Sequence, residues 1–272
     1  MRKGLNDFEI NEIKNQAKEK LGLCCKTHDI IGTQIFSILG LYARVIYYPL
    51  GKDAPWGFTR ISGSKNDAGL EKPFAAINTS IPISCQVFAA AHELYHIWYE
   101  HNPDIIPGDL LDENEATNER KANRFAAEFL MDENMLRQEI DTYKIKKFTI
   151  KAVLQLAELF TVPYRAMVKR LFETNCIPTV EKEKLLSETS ESIERNRKKY
   201  ALNAGEADHR IAVDNLAELA VNAYEAELIT FEKLEYLLGV CGLNPEDLGI
   251  RKANGSAFPS DDELAAIMEE DA

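Results

Sequence analysis

Residues 88–101 read FAAAHELYHIWYEH, and no other stretch limits the fold so tightly. Phe88, Ala89, Ala90, Ala91, Leu94, Ile97 and Trp98 surround His92, Glu93 and His96, so a helix with the character of a core element carries three titratable groups. Ionisable groups inside a protein are normally paired or bound to metal, because leaving them alone there is costly. On a helix, residues four apart project from one face, a turn above each other. His92 and His96 can therefore aim two imidazoles at one point. Glu93 lies about 100° round the helix, near enough to reach a water at that point without itself being a ligand. This is the H-E-x-x-H arrangement, in which two histidines hold a zinc ion and the glutamate serves as general base. One zinc ion per chain is the expectation.

Catalytic zinc sites usually take a third protein ligand from a separate element. The next helical stretch, DENEATNERKANRFAAEFLMDE, spans residues 112–133 and holds seven carboxylates. Most suit a solvated face. Glu119 differs, since counting on by 3, 7, 10 and 11 reaches Ala122, Ala126, Phe129 and Leu130, so it heads the apolar stripe. Glu119 is the expected third ligand and Glu115 the fallback. Asn123, four residues on, shares that face and is a candidate to hydrogen-bond a ligating imidazole from behind.

The rest of the chain frames this pair of helices. Residues 6–22 have the spacing of an amphipathic helix with Phe8, Ile13, Ala17 and Leu21 on one stripe, and THDIIGTQIFSILG reads as a second helix from a Thr27 cap to Gly40. ARVIYYPL, GFTRIS and PFAAINT are short, β-branched or aromatic, and separated by turn residues. They predict three strands. Helices are then expected over 85–101, 112–131, 133–143, 149–161, 163–174, 179–201, 208–227 and 230–239. The fold class is α+β, a small three-stranded sheet followed by an all-helical C-terminal half. The expected divisions are 1–145, 146–175, 176–250 and an acidic, loosely attached tail, 251–272.

Composition excludes several classes. No apolar run nears the ~20 residues that cross a bilayer, and the N-terminal MRKGLNDFEINEIKNQAKEK has no apolar signal core. A cytoplasmic protein with no membrane partner is expected. Five cysteines without a C-x-x-C pair fit reduced thiols rather than a disulfide framework or zinc knot. A net charge of −12 opposes broad nucleic-acid binding by the whole chain.

With these residues in place, the sequence resembles the ImmA/IrrE-like zinc metallopeptidases. The likeness rests on the H-E-x-x-H helix after the strand FAAINTS, and on E-x-x-A-N-x-F-A-A-x-x-L-M from Glu119 to Met131. It covers roughly residues 1–175 in order of elements. It implies a zincin-type metallopeptidase core, with His92, His96 and Glu119 as zinc ligands and Glu93 as general base. It further implies a metalloendopeptidase that cleaves a helix-turn-helix transcriptional repressor and so relieves repression. Tyr95 stands where the family usually has glycine, and Asp132 where proline often follows the methionine. Tyr95, Tyr99, His101 and Arg124 are the candidates for contacting substrate or stabilising the oxyanion.

A second feature is KIKKFTIKAVLQLAELFTVPYRAMVKRLF, where seven basic residues meet only Glu158 in an otherwise acidic chain. Its two helices meet at TVP and resemble a helix-turn-helix. Contact with DNA through 144–171 is one reading, but a recognition helix needs more polar side chains than PYRAMVKRLF offers. Packing or substrate docking is favoured. Residues 176–249 carry no chemical motif. The competing account of the whole chain is a non-catalytic regulator, binding a partner protein or DNA through its helical half around a structural metal site.

Overall fold

The computed structural model describes residues 4–60, 72–100 and 113–251. The chain divides into two compact units, Met1–Ile211 and Ala212–Ala272, rather than at 145 or 175.

The first unit opens with α1 (Asp7–Leu23), started by Asn6 and Glu9 in a reciprocal capping box. It buries Ile13, Ala17 and Leu21 at four-residue spacing, whereas Phe8 is 78% exposed. Five residues separate Phe8 from Ile13, which turns it about 140° off the stripe. The second helix starts later than its sequence suggests, as a 3-10 turn at Gly32–Gln34 and then α2 (Ile35–Tyr42). Gly32 holds φ +48°, a left-handed conformation that no residue inside an α-helix adopts. Gly40 does not end α2.

Three strands follow: β1 (Arg44–Tyr48), β2 (Gly57–Arg60) and β3 (Phe74–Asn78). Within this unit β3 lies in the middle, parallel to β1 and antiparallel to β2. Val45 sits opposite Ala75, and Thr59 opposite Ala75 on the other side. Then come α3 (Ile83–Tyr99), α4 (Glu113–Leu130), α5 (Glu133–Thr142), α6 (Ile150–Phe160), α7 (Tyr164–Glu173), α8 (Thr179–Leu186) and α9 (Ser190–Lys199). The expected single helix over 179–201 is broken because Thr189 caps a new one, its side chain accepting from the Ser192 N–H. Asp132, at the position where relatives often place proline, caps α5 by accepting from the N–H groups of Asn134 and Met135.

One core joins these elements, from Ile13 and Leu39 through Ile77 and Leu94 to Phe125, Phe160 and Val168. The basic helical segment is therefore packed into the same core as α3 and α4. Arg170 of α7 and Glu128 of α4, both buried, form an ion pair across it, and the Arg170 Nε–H donates to the Met131 carbonyl at 2.8 Å.

After α9 the chain runs back over the start of α3. The Ile83 and Ser84 N–H groups donate to the carbonyls of Glu206 and Ala204 at 2.8 and 3.0 Å. Gln86, fully buried, donates from Nε2 to the Ile81 carbonyl and to Asp208. With Pro82 at its cap position and no side-chain cap bond, α3 has its first free donors satisfied by this return segment instead.

The second unit holds a two-residue strand, β4 (Ala212–Val213), that the sequence reading did not anticipate, then α10 (Leu216–Glu225) and α11 (Phe231–Val240). Asn215 in the left-handed region delays α10, which is why it is shorter than the 208–227 expected. Ala220, Leu234 and Leu238 make a small core of their own. The tail beyond Arg251 lies outside the described residues.

Candidate metal centre

α3 and α4 pack along each other, and the side chains expected to meet do so. The Nε2 atoms of His92 and His96 are 3.0 Å apart. Glu119 places Oε2 3.2 Å from His92 Nε2 and Oε1 3.5 Å from His96 Nε2. A zinc ion with bonds of about 2.1 Å in tetrahedral geometry sets its ligand atoms about 3.4 Å apart. The donor set and its spacing therefore fit such an ion. Among the described residues, these three form the one His/Cys/Asp/Glu group close enough to hold a metal.

His96 is further fixed by Glu100, whose Oε2 lies 2.7 Å from Nδ1. A proton held on Nδ1 leaves the Nε2 lone pair facing the cluster, the support that metal-bound histidines commonly receive. Burial works to lower the His96 pKa, but the bond to Glu100 and the charges of Glu93, Glu100 and Glu119 outweigh it and raise the value. The hydrogen bond to His92 holds the Glu119 carboxyl below its usual range.

Glu93 is 4% exposed and stands outside this set. Its Oε2 accepts from the Thr59 hydroxyl at 2.8 Å. Burial pushes the Glu93 carboxyl up, against the opposing effect of the two imidazoles and of Thr59. Gly57, two residues earlier on β2, faces the same way, as strand periodicity requires. A Cβ there would come within 3.1 Å of both Glu93 Oε1 and the Ala76 carbonyl. A side chain there would be tight and would push on the carboxylate or on the strand beside it. Neither Thr59, Gly57 nor Glu100 was singled out from the sequence. For Glu100 the four-residue step from His96 was available as a signal; for the β2 pair only the alternation of GFTR was.

The remaining candidates fall elsewhere. Asn123 is exposed and donates to the Glu119 carbonyl at 2.8 Å, not to an imidazole. Tyr95 is 5% exposed, its ring between Tyr99 and Phe125 on the core side of α3, and burial pushes its hydroxyl up to about 12. Tyr99 packs on the same ring, with its hydroxyl 3.5 Å from the Gln16 carbonyl. Arg124 is paired with Glu128 and Glu173. His101 lies outside the described residues, and so do the side-chain contacts of Glu115.

An α+β frame whose H-E-x-x-H helix meets a carboxylate on the next helix defines a metallopeptidase-like domain. Consistent with that class, residues 43–172 match the family model of the IrrE N-terminal-like domain. The match supports an ImmA/IrrE-like family for residues 43–172. No curated protein and no solved structure matched the chain. Among the described residues, no helix is long and apolar enough to cross a membrane.

Proposed function

We propose that this protein is a zinc-dependent endopeptidase that cleaves a helix-turn-helix transcriptional repressor in the cytoplasm and so relieves repression. His92, His96 and Glu119 would hold the ion. A bound zinc ion supplies Lewis acidity, both to a water and to the carbonyl of a scissile peptide. Glu93 takes the proton from the attacking water and passes it to the leaving amine. Thr59 donates to one of the two Glu93 oxygens and so holds the carboxylate in place.

The observation that carries the reading is the position of Glu93 beside, yet outside, a three-ligand cluster. A structural zinc site takes four protein ligands and has no use for a buried base. The family match supports peptidase activity in general; the repressor as substrate comes from the resemblance described above.

The test is to incubate the zinc-loaded wild type and Glu93→Gln with the helix-turn-helix protein encoded nearest to this gene, and to follow fragments by mass spectrometry. Wild type should yield two complementary fragments and Glu93→Gln none. Intact repressor in both, with equal derepression of its promoter, would contradict the peptidase reading and favour a regulator that acts by binding.

A further inference from the structure

A groove of about 600 Å³ opens beside the metal centre, between α3, α4 and α7. It begins one helical turn from the cluster on both metal helices. Phe88 precedes His92 by four residues and Asn123 follows Glu119 by four, which is about 6 Å along each axis. Ala127 continues the α4 wall, and α7 supplies Arg165, Ala166 and Lys169 opposite. The three residues of the cluster do not line the groove themselves; it adjoins them along both helices.

The groove's lining is both apolar and cationic. Leu5, Ile10, Phe88, Ala127, Pro163 and Ala166 supply apolar surface, with Trp56, 44% exposed, beside them. Among the described residues, Arg120, Arg124, Arg165, Lys169 and Arg170 line it with Glu173 as the single acid. Part of this charge is spoken for, since Arg170 is held by buried Glu128, and Arg124 by Glu128 and Glu173. Arg165 and Lys169 are exposed on one face of α7, four residues apart. The Arg165 guanidinium donates to the carbonyls of Leu186 and Glu188 at 3.0 and 3.2 Å. Neutral acceptors orient that charge without cancelling it. A local excess of positive charge therefore lines a cleft in a chain whose net charge is −12.

We infer that this groove binds an acidic stretch of the substrate protein, in which carboxylates alternate with apolar side chains, a few residues from the scissile bond. This rests on the peptidase reading for its place in a reaction, but not for its chemistry. Carboxylates suit Arg165 and Lys169, and the apolar lining takes the side chains between them. An extended chain covers about 3.3 Å per residue, so the first acidic contact falls roughly two to four residues from the bond cut. Nucleic acid is the lesser fit, because much of the lining is apolar where a phosphate backbone needs donors, and the net charge of −12 repels it.

The test uses full-length Glu93→Gln, so that no probe is cleaved, and fluorescence anisotropy at moderate salt. The probes are a labelled twelve-residue peptide of alternating Glu and Leu, its Gln-for-Glu counterpart, and a labelled duplex DNA of similar length. The acidic peptide should bind about tenfold or more tighter than the Gln peptide, and added salt should weaken it. Adding Arg165→Glu and Lys169→Glu should lower its affinity by about tenfold or more, while Arg195→Glu, on α9 outside the groove, should not. If the double reversal fails to fold by circular dichroism, Arg165→Gln with Lys169→Gln should give a smaller loss in the same direction. Equal binding of the two peptides, no peptide binding, indifference to the α7 changes, or DNA binding as tight as the acidic peptide would each overturn the inference. Peptide binding by a protein that failed the cleavage assay would remove the peptidase reading and leave the groove standing.

Discussion

Glu93 meets β2 at two side-chain positions that leave it little freedom: Gly57, where any Cβ would press on its carboxylate, and Thr59, whose hydroxyl it accepts at 2.8 Å. A general base is useful only if its reactive oxygen is aimed before the water arrives. Thr59 acts here as a positioning residue. Thr59→Val keeps the shape and removes the donor, so kcat on a protein substrate should fall about tenfold or more, the size expected for losing a hydrogen bond to a charged group. KM and zinc content should stay near wild type, and Thr59→Ser should restore most of the rate. A rise in KM with kcat unchanged, or a serine variant as poor as valine, would contradict this role. None of it was legible in the sequence, because Thr59 and Glu93 are 34 residues apart and meet only once a strand packs on a helix. His92, Glu93 and His96 were legible for the opposite reason. Their geometry is set by one turn of helix. Glu119 was an intermediate case, visible because it heads a stripe whose other members, Ala122, Ala126, Phe129 and Leu130, are all buried.

At the scale of elements, the position of α4 decides whether Glu119 reaches the histidines, and α4 is tied to α7 by Glu128 and Arg170. Burial alone would raise the Glu128 pKa, but Arg170 and Arg124 outweigh it and lower the value from the ordinary 4.5. A depressed carboxyl stabilises the fold fully above its unfolded pKa, and that contribution disappears as pH falls below 4.5 through the folded value. Glu128→Gln leaves the buried Arg170 charge only its longer pair with Glu173, 3.6 Å away, and should cost about 3 kcal/mol at pH 7. In urea titrations the gap from wild type should shrink between pH 5 and pH 3. A gap of the same size at both would show that the ion pair is not its source. Element boundaries were less legible than element types. Gly32 and Asn215 take left-handed conformations that delay α2 and α10, and Thr189 starts a helix inside an otherwise continuous helical pattern. The return segment over the start of α3 left no periodic trace, since most of its bonds come from backbone carbonyls.

For the molecule as a whole, a sheet-backed helix with two histidines, a carboxylate on its neighbour and a cationic groove beside them lie in one unit. The basic stretch read from the sequence as a helix-turn-helix is built into the core of the first unit, which turns its exposed charges toward the groove rather than into a separate module. That could not be read from composition, because the net charge of −12 averages over faces of opposite sign. The claim on which everything else depends is that three residues hold the ion while Glu93 stands apart. Zinc content after exhaustive dialysis tests it without any knowledge of the substrate. Wild type and Glu93→Gln should each retain one zinc per chain, while His92→Ala, His96→Ala and Glu119→Ala, still folded, should retain little. Undiminished zinc in the three ligand variants, or its loss in Glu93→Gln alone, would contradict the account.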